Sequence, residues 1–116
     1  MTVILLPLPP TSNNLFAGNG RRRYRTKEYD AWIKEAGVLL ATQRPLKWLG
    51  KVSMLIEVRE PPTMRAEDCC NREKATTDLL VKHGIIEGDS QHFVRRVIIQ
   101  WANDIKGIRV TIERME

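Results

Sequence analysis

Residues 51–59, KVSMLIEVR, place Val52, Met54, Ile56 and Val58 on one side of an extended chain. A period of two marks a strand with one face on a core. Such a strand cannot stand alone. It needs neighbours in a sheet and a second layer over its apolar face. Pro61-Pro62 close it, because proline has no N–H to give a ladder.

The rest of the chain supplies those parts. Tyr29, Trp32, Ile33, Ala36, Leu39 and Leu40 recur at helical spacing behind Thr26, which can cap the helix. That helix is expected to stop near Gln43, before Pro45. A second helix is expected over 71–83, with Ala75, Leu79 and Leu80 inward and Gly84 as its stop. Val3–Leu8 reads as a buried strand ended by Pro7, Pro9 and Pro10. Phe93–Trp101 and Gly107–Arg114 read as two more strands, with a turn at Asn103-Asp104. Thr11–Arg25 is a long polar loop. The order is β-α-β-α-β-β. It predicts one α/β (α+β) domain over 1–116, with two helices packed on a mixed or mostly antiparallel sheet.

Bulk composition narrows the class. With 42% hydrophobic and 28% charged residues, the chain has enough apolar surface to fold. No apolar run approaches the roughly 20 residues of a membrane span. The run Val3–Leu8 lacks a basic residue before it and meets Pro9-Pro10 at once, so it reads as a strand rather than a signal peptide. The cytoplasm is the expected location, with no membrane partner. Cys69 and Cys70 are adjacent, a poor geometry for a disulfide, and reduced thiols are expected. The lack of a CxxC pair or a Cys/His cluster argues against a structural zinc site.

The net charge is +5 and the pI about 9.6. The excess is clustered at Arg21, Arg22, Arg23, Arg25 and Lys27, and again at Arg95-Arg96. A basic cluster suits a polyanion or simply a solvated surface.

The densest chemistry runs from Arg65 to Arg96. Asp68 lies where an extended segment gives way to a helix. Asn71, Lys74 and Asp78 follow at helical spacing, and Asp89 sits in the next loop. Carboxylates with an amide oxygen suit a hard divalent cation such as Mg²⁺. A lysine beside them suits a phosphate ester. Each residue also has a plainer role: Asp68 as a helix-terminal cap, Asp89 as a turn aspartate, and Lys74–Asp78 as a surface pair. His83, at a helix C-terminus, suits the helix dipole better than catalysis. Trp32, Trp48 and Trp101 suit core packing better than base stacking.

Taken together these segments resemble the RusA family of Holliday-junction resolvases, which phages and prophages often carry. LPLPPTSNNLF is similar to the family's opening strand and Pro-Pro-Ser-x-Asn loop, and RRRYRTKEYDAWIKEAG to its first helix. Asp68, Asn71, Lys74, Asp78 and Asp89 match its central signature in order and spacing. The resemblance implies a homodimeric, Mg²⁺-dependent endonuclease that resolves four-way DNA junctions by paired symmetric nicks, in recombination and repair. It implies Asp68 and Asp89 as metal ligands, with Mg²⁺ or Mn²⁺ as the ion. Lys74 would lie at the scissile phosphate and Asn71 would orient the ligands. Asn13, Asn14, Arg21, Arg22, Arg23, Arg25 and Lys74 would face DNA.

One position departs from the pattern. Cys70 stands where the family usually carries a second aspartate. Mg²⁺ prefers oxygen, and a thiolate suits softer metals. Three outcomes stand open. A neighbouring acid, Glu67 or Glu73, completes the site; or the site uses Cys70 and another metal, or works slowly; or the chain binds junctions without cutting them. A nuclease for other branched DNA is a further alternative.

Overall fold

The computed structural model describes residues 1–61 and 68–115. Its central strand is the alternating one. β4 (Val52–Arg59) has Val52, Met54, Ile56 and Val58 fully or almost fully buried. Its neighbours are β6 (Ile108–Arg114), antiparallel, and β5 (Val94–Ala102), parallel. β1 (Thr2–Leu6) pairs antiparallel with β6, so the order is β1-β6-β4-β5 and the sheet is mixed. Parallel strands need a long crossover, and the segment carrying α2 (Glu73–Lys82) provides it between β4 and β5.

β5 and β6 are consecutive but not neighbours, because β4 lies between them. Residues 103–107 therefore cross the end of β4. Arg59 clamps the crossing by donating from Nη1 to the carbonyls of Asn103 and Ile105. On the backbone, Arg59 N–H donates to Gly107 O at 3.0 Å and Glu60 N–H to Ala102 O at 2.9 Å.

α1 (Lys27–Gln43) begins where expected. Thr26 is extended and its hydroxyl accepts from Tyr29 N–H at 3.1 Å. Tyr29, Trp32, Ala36 and Leu40 are buried. Leu39 is not. It is 41% exposed and lines an apolar groove with Leu5, Leu8 and Ile105 at the sheet's β1 edge. Periodicity placed it on the inward arc, but the sheet ends before reaching it. Nearby, Gln43 caps that edge, accepting from Leu5 N–H at 2.8 Å and donating to Leu5 O at 2.7 Å.

α2 is shorter than the expected 71–83, because residues 69–72 form a 3-10 turn before it. Its end is a Schellman arrangement: Ile85 N–H donates to Leu80 O, and Gly84 N–H to Val81 O. Leu80 and Ile85 are both buried beneath it. Both helices add to one core with the inner face of the sheet, where Ile4, Ile56, Val58, Ile108, Val110 and Ile112 are closed off from solvent. Truncating a side chain such as Ile56 to alanine there costs about 2–5 kcal/mol.

The opposite face of the sheet carries polar groups. Arg109 and Glu57 face each other across β6 and β4 in a two-pronged pair, 2.8 Å at each contact, and Arg109 also reaches Asp104. The expected loop 11–25 holds a small hairpin of its own, β2 (Phe16–Ala17) against β3 (Tyr24–Arg25). Among the described residues, no helix is long and apolar enough to cross a membrane.

Candidate functional site

Asp68 opens the 3-10 turn 69–72. Its backbone is extended, and its Oδ1 accepts from Cys70 N–H at 3.1 Å. Asn71 N–H also donates to Asp68 O at 3.1 Å. The cap expected from its position is therefore real, and it leaves the second carboxylate oxygen outside that bond. The turn lies against β5, where the half-buried Cys69 turns its Sγ to Ile99 O at 3.9 Å. One carboxylate oxygen and both sulfurs, from Asp68, Cys69 and Cys70, lie within 4.8 Å of one another. Cys69 was not among the expected ligands. Its adjacency to Cys70 was the only signal.

Charge acts on the exposed Cys70. The Asp68 carboxylate, with lesser contributions from desolvation and Cys69, pushes its thiol above the usual range.

The other expected residues are dispersed around this turn. Asn71 belongs to the 3-10 turn rather than to α2, and its Oδ1 accepts from Ser12 Oγ at 3.4 Å. Lys74 and Asp78 lie on one face of α2, with Nζ 3.4 Å from the carboxylate. The plain pairing is present, and both are partly exposed. Glu73 accepts from Thr77 Oγ1 at 2.6 Å, so its carboxylate is engaged within α2. Asp89 is exposed in the loop between α2 and β5 and is not part of the 4.8 Å group. Its neighbour Glu87 accepts from Gly50 N–H at 3.0 Å. Glu67 lies outside the described residues. His83 and His92 are exposed and belong to no such group among the described residues.

The basic cluster is built onto the same corner. Asn13 and Asn14 form a short 3-10 turn with Ser12, the residue that meets Asn71. Asn13 is exposed, while Asn14 is spent on structure: Nδ2 donates to Thr11 Oγ1, and its carbonyl accepts from Thr26 Oγ1 at 2.7 Å. Thr26 N–H closes the hairpin base onto Leu15 O at 3.0 Å. Gly18 allows the tip. Its φ is +83°, and an added Cβ would sit 2.2 Å from Arg22 O.

Arg21, Arg22, Arg23 and Arg25 are all exposed on this hairpin, but not equally available. Arg25 Nε holds Asp30 at 2.9 Å. Arg23 lies over the Phe16 ring, 4.7 Å from its centre. Arg21 and Arg22 make no such contact among the described residues. Tyr29 packs edge-on against Phe16 of the hairpin; burial raises its pKa, the charge of Asp78 raises it further and Arg25 opposes them. Arg72, missed in the sequence, braces the turn by donating to Pro9 O.

The gathered donors test the ion that the sequence resemblance implied. Mg²⁺ takes a near-octahedral shell of oxygens. One carboxylate and two sulfurs do not fit it. A hard ion at Asp68 has to draw oxygen from outside the thiol pair.

A family model described as Endodeoxyribonuclease RusA matches residues 7–113. A comparison with curated proteins found no match.

Proposed function

We propose, since this chain belongs to the RusA family of endodeoxyribonucleases, that it binds four-way DNA junctions and nicks them in pairs. The observation that carries the reading is the Ser12–Asn71 contact. It joins the base of the arginine hairpin to the turn that carries Asp68. Phosphate-binding charge and the candidate cutting site thus share one corner of the fold.

The roles follow from chemistry. Arg21 and Arg22 contact phosphates and hold the duplex arms, which positions the protein without reading sequence. Asn71, held by Ser12, keeps the Asp68 turn in register. Lys74 offsets negative charge on the phosphate once DNA draws it from Asp78. Asp68 and Asp89 are the carboxylates assigned to a divalent ion, Mg²⁺ or Mn²⁺. A homodimer belongs to the same proposal, because paired cuts need two sites. The exposed Val97 and Ile98 on edge strand β5 support it, since an apolar edge invites pairing. The cytoplasm remains the proposed location.

The second reading, a junction-binding protein that does not cut, is favoured by the sulfur-rich donor set. One assay separates them. Labelled four-way junctions and linear duplexes are incubated with the protein and Mg²⁺, then Mn²⁺. Cutting of the junction alone, lost in Asp68→Asn and Asp89→Asn while binding persists, supports the nuclease. Tight junction binding with no cutting in either metal supports the second reading. Sedimentation that shows only monomer, even with junction DNA, overturns the dimer.

A further inference from the structure

We propose that Asp68, Cys69 and Cys70 form a site for a thiophilic divalent ion, and that Zn²⁺ binds there in preference to Mg²⁺. The site stands whether or not the chain cuts DNA.

Three observations carry it. The donor atoms already converge, with the carboxylate oxygen and both sulfurs within 4.8 Å of one another. Zinc–sulfur bonds of about 2.3 Å and zinc–oxygen bonds of about 2.0 Å in a tetrahedron place the sulfurs about 3.8 Å apart and oxygen about 3.5 Å from sulfur, so closure needs at most about 1.3 Å of movement. That movement is available to Cys70, which is exposed.

The frame of the turn is also set in advance. Asp68 Oδ1 accepts from Cys70 N–H, and Asn71 N–H donates to Asp68 O. These bonds hold the carboxylate and the second thiol on one turn before any ion arrives. Cys69 is half-buried against the Ile99 carbonyl, which fixes the direction of its sulfur.

The donor chemistry then selects the ion. Soft sulfur ligands favour zinc, and a single carboxylate with two thiols offers Mg²⁺ too few oxygens. Binding releases the two thiol protons to solvent, leaving two thiolates and a carboxylate around Zn²⁺. Three protein ligands leave one tetrahedral position for water. This is an open three-ligand site, unlike the closed four-ligand kind that stabilises small folds.

The test uses the intact chain, reduced and free of DNA. Zn²⁺ is titrated in competition with a chromophoric chelator, and Co²⁺ is titrated separately while its absorption is recorded. The expected result is one Zn²⁺ per chain and a sulfur-to-cobalt charge-transfer band. Cys69→Ser and Cys70→Ser should each weaken Zn²⁺ at least tenfold and reduce the band. Asp68→Asn should weaken Zn²⁺ while keeping the turn, because asparagine retains the cap oxygen. Circular dichroism of each variant confirms that it folds. If Cys69→Ser unfolds the chain, the exposed Cys70→Ser and the cap-preserving Asp68→Asn decide the matter. The proposal is overturned if Co²⁺ shows no sulfur band. It is also overturned if the folded Cys70→Ser variant binds Zn²⁺ as tightly as the parent, or if one ion is shared by two chains.

Discussion

Replacing Arg21 and Arg22 together by glutamine should remove about two phosphate contacts from the complex with a four-way junction. The figure is two rather than four because the hairpin already commits its other arginines. Arg25 holds Asp30 at 2.9 Å, and Arg23 lies 4.7 Å over Phe16. Each contact to duplex DNA contributes about 0.9 to the slope of log affinity against log salt. The double variant should therefore show a slope shallower by about 1.8. Between about 50 and 200 mM salt, the parent should lose about 12-fold more affinity than the variant. Fluorescence anisotropy with a labelled junction measures this, with circular dichroism confirming the fold. Asp30→Asn supplies the opposite perturbation. It releases Arg25, and the slope should steepen by about 0.9. An unchanged slope in the double variant would show that these arginines do not touch phosphate.

The remaining predictions concern the turn, the hairpin and the sheet. Cys70→Asp adds a hard oxygen ligand beside Asp68, so Mg²⁺-dependent junction cutting should rise in a gel assay; no rise would place the limiting step elsewhere. Gly18→Ala forces a Cβ onto the Arg22 carbonyl, so junction affinity should fall and the salt slope should become shallower by up to about 1.8, the change expected for loss of both arginine contacts. The melting temperature should fall by no more than about a few degrees, because Gly18 lies at the exposed tip of the hairpin while Leu15 and Phe16 at its base keep their place on the core. Arg109 holds the Glu57 carboxyl below its usual pKa of 4.5, chiefly by hydrogen bonding. That contribution is complete above pH 4.5 and fades as pH falls through the lower folded value. Arg109→Met should accordingly lower the melting temperature by a few degrees at pH 7 and by much less near pH 3, and an equal loss at both would refute the pairing.

Local pattern was enough wherever the cause was local. Val52, Met54, Ile56 and Val58 declare a one-faced strand by their period, and all four are buried. Thr26 declares a cap because a hydroxyl ahead of a helix can reach the N–H three residues on, and it does. Asp68 was legible as a residue at the start of a helix, and it caps the 3-10 turn that leads into α2. The family signature, carried by residue types at fixed spacing, was legible for the same reason, and the match over residues 7–113 agrees with it.

Tertiary structure decided what depends on which distant segments meet. Nothing in the period of Phe93–Trp101 says that it pairs parallel with β4 and leaves Val97 and Ile98 exposed at an edge. Leu39 has the helical phase of a core residue, but burial needs a covering layer, and the sheet stops short of it. The Ser12–Asn71 contact spans 59 positions in the chain, and the turn of Cys69 toward Ile99 spans 30. Spacing could name Asp68 and Cys70 as neighbours along the chain. Only packing of their turn against β5 and the 12–14 turn aligned them with Cys69, because side-chain direction is set by what the backbone rests on.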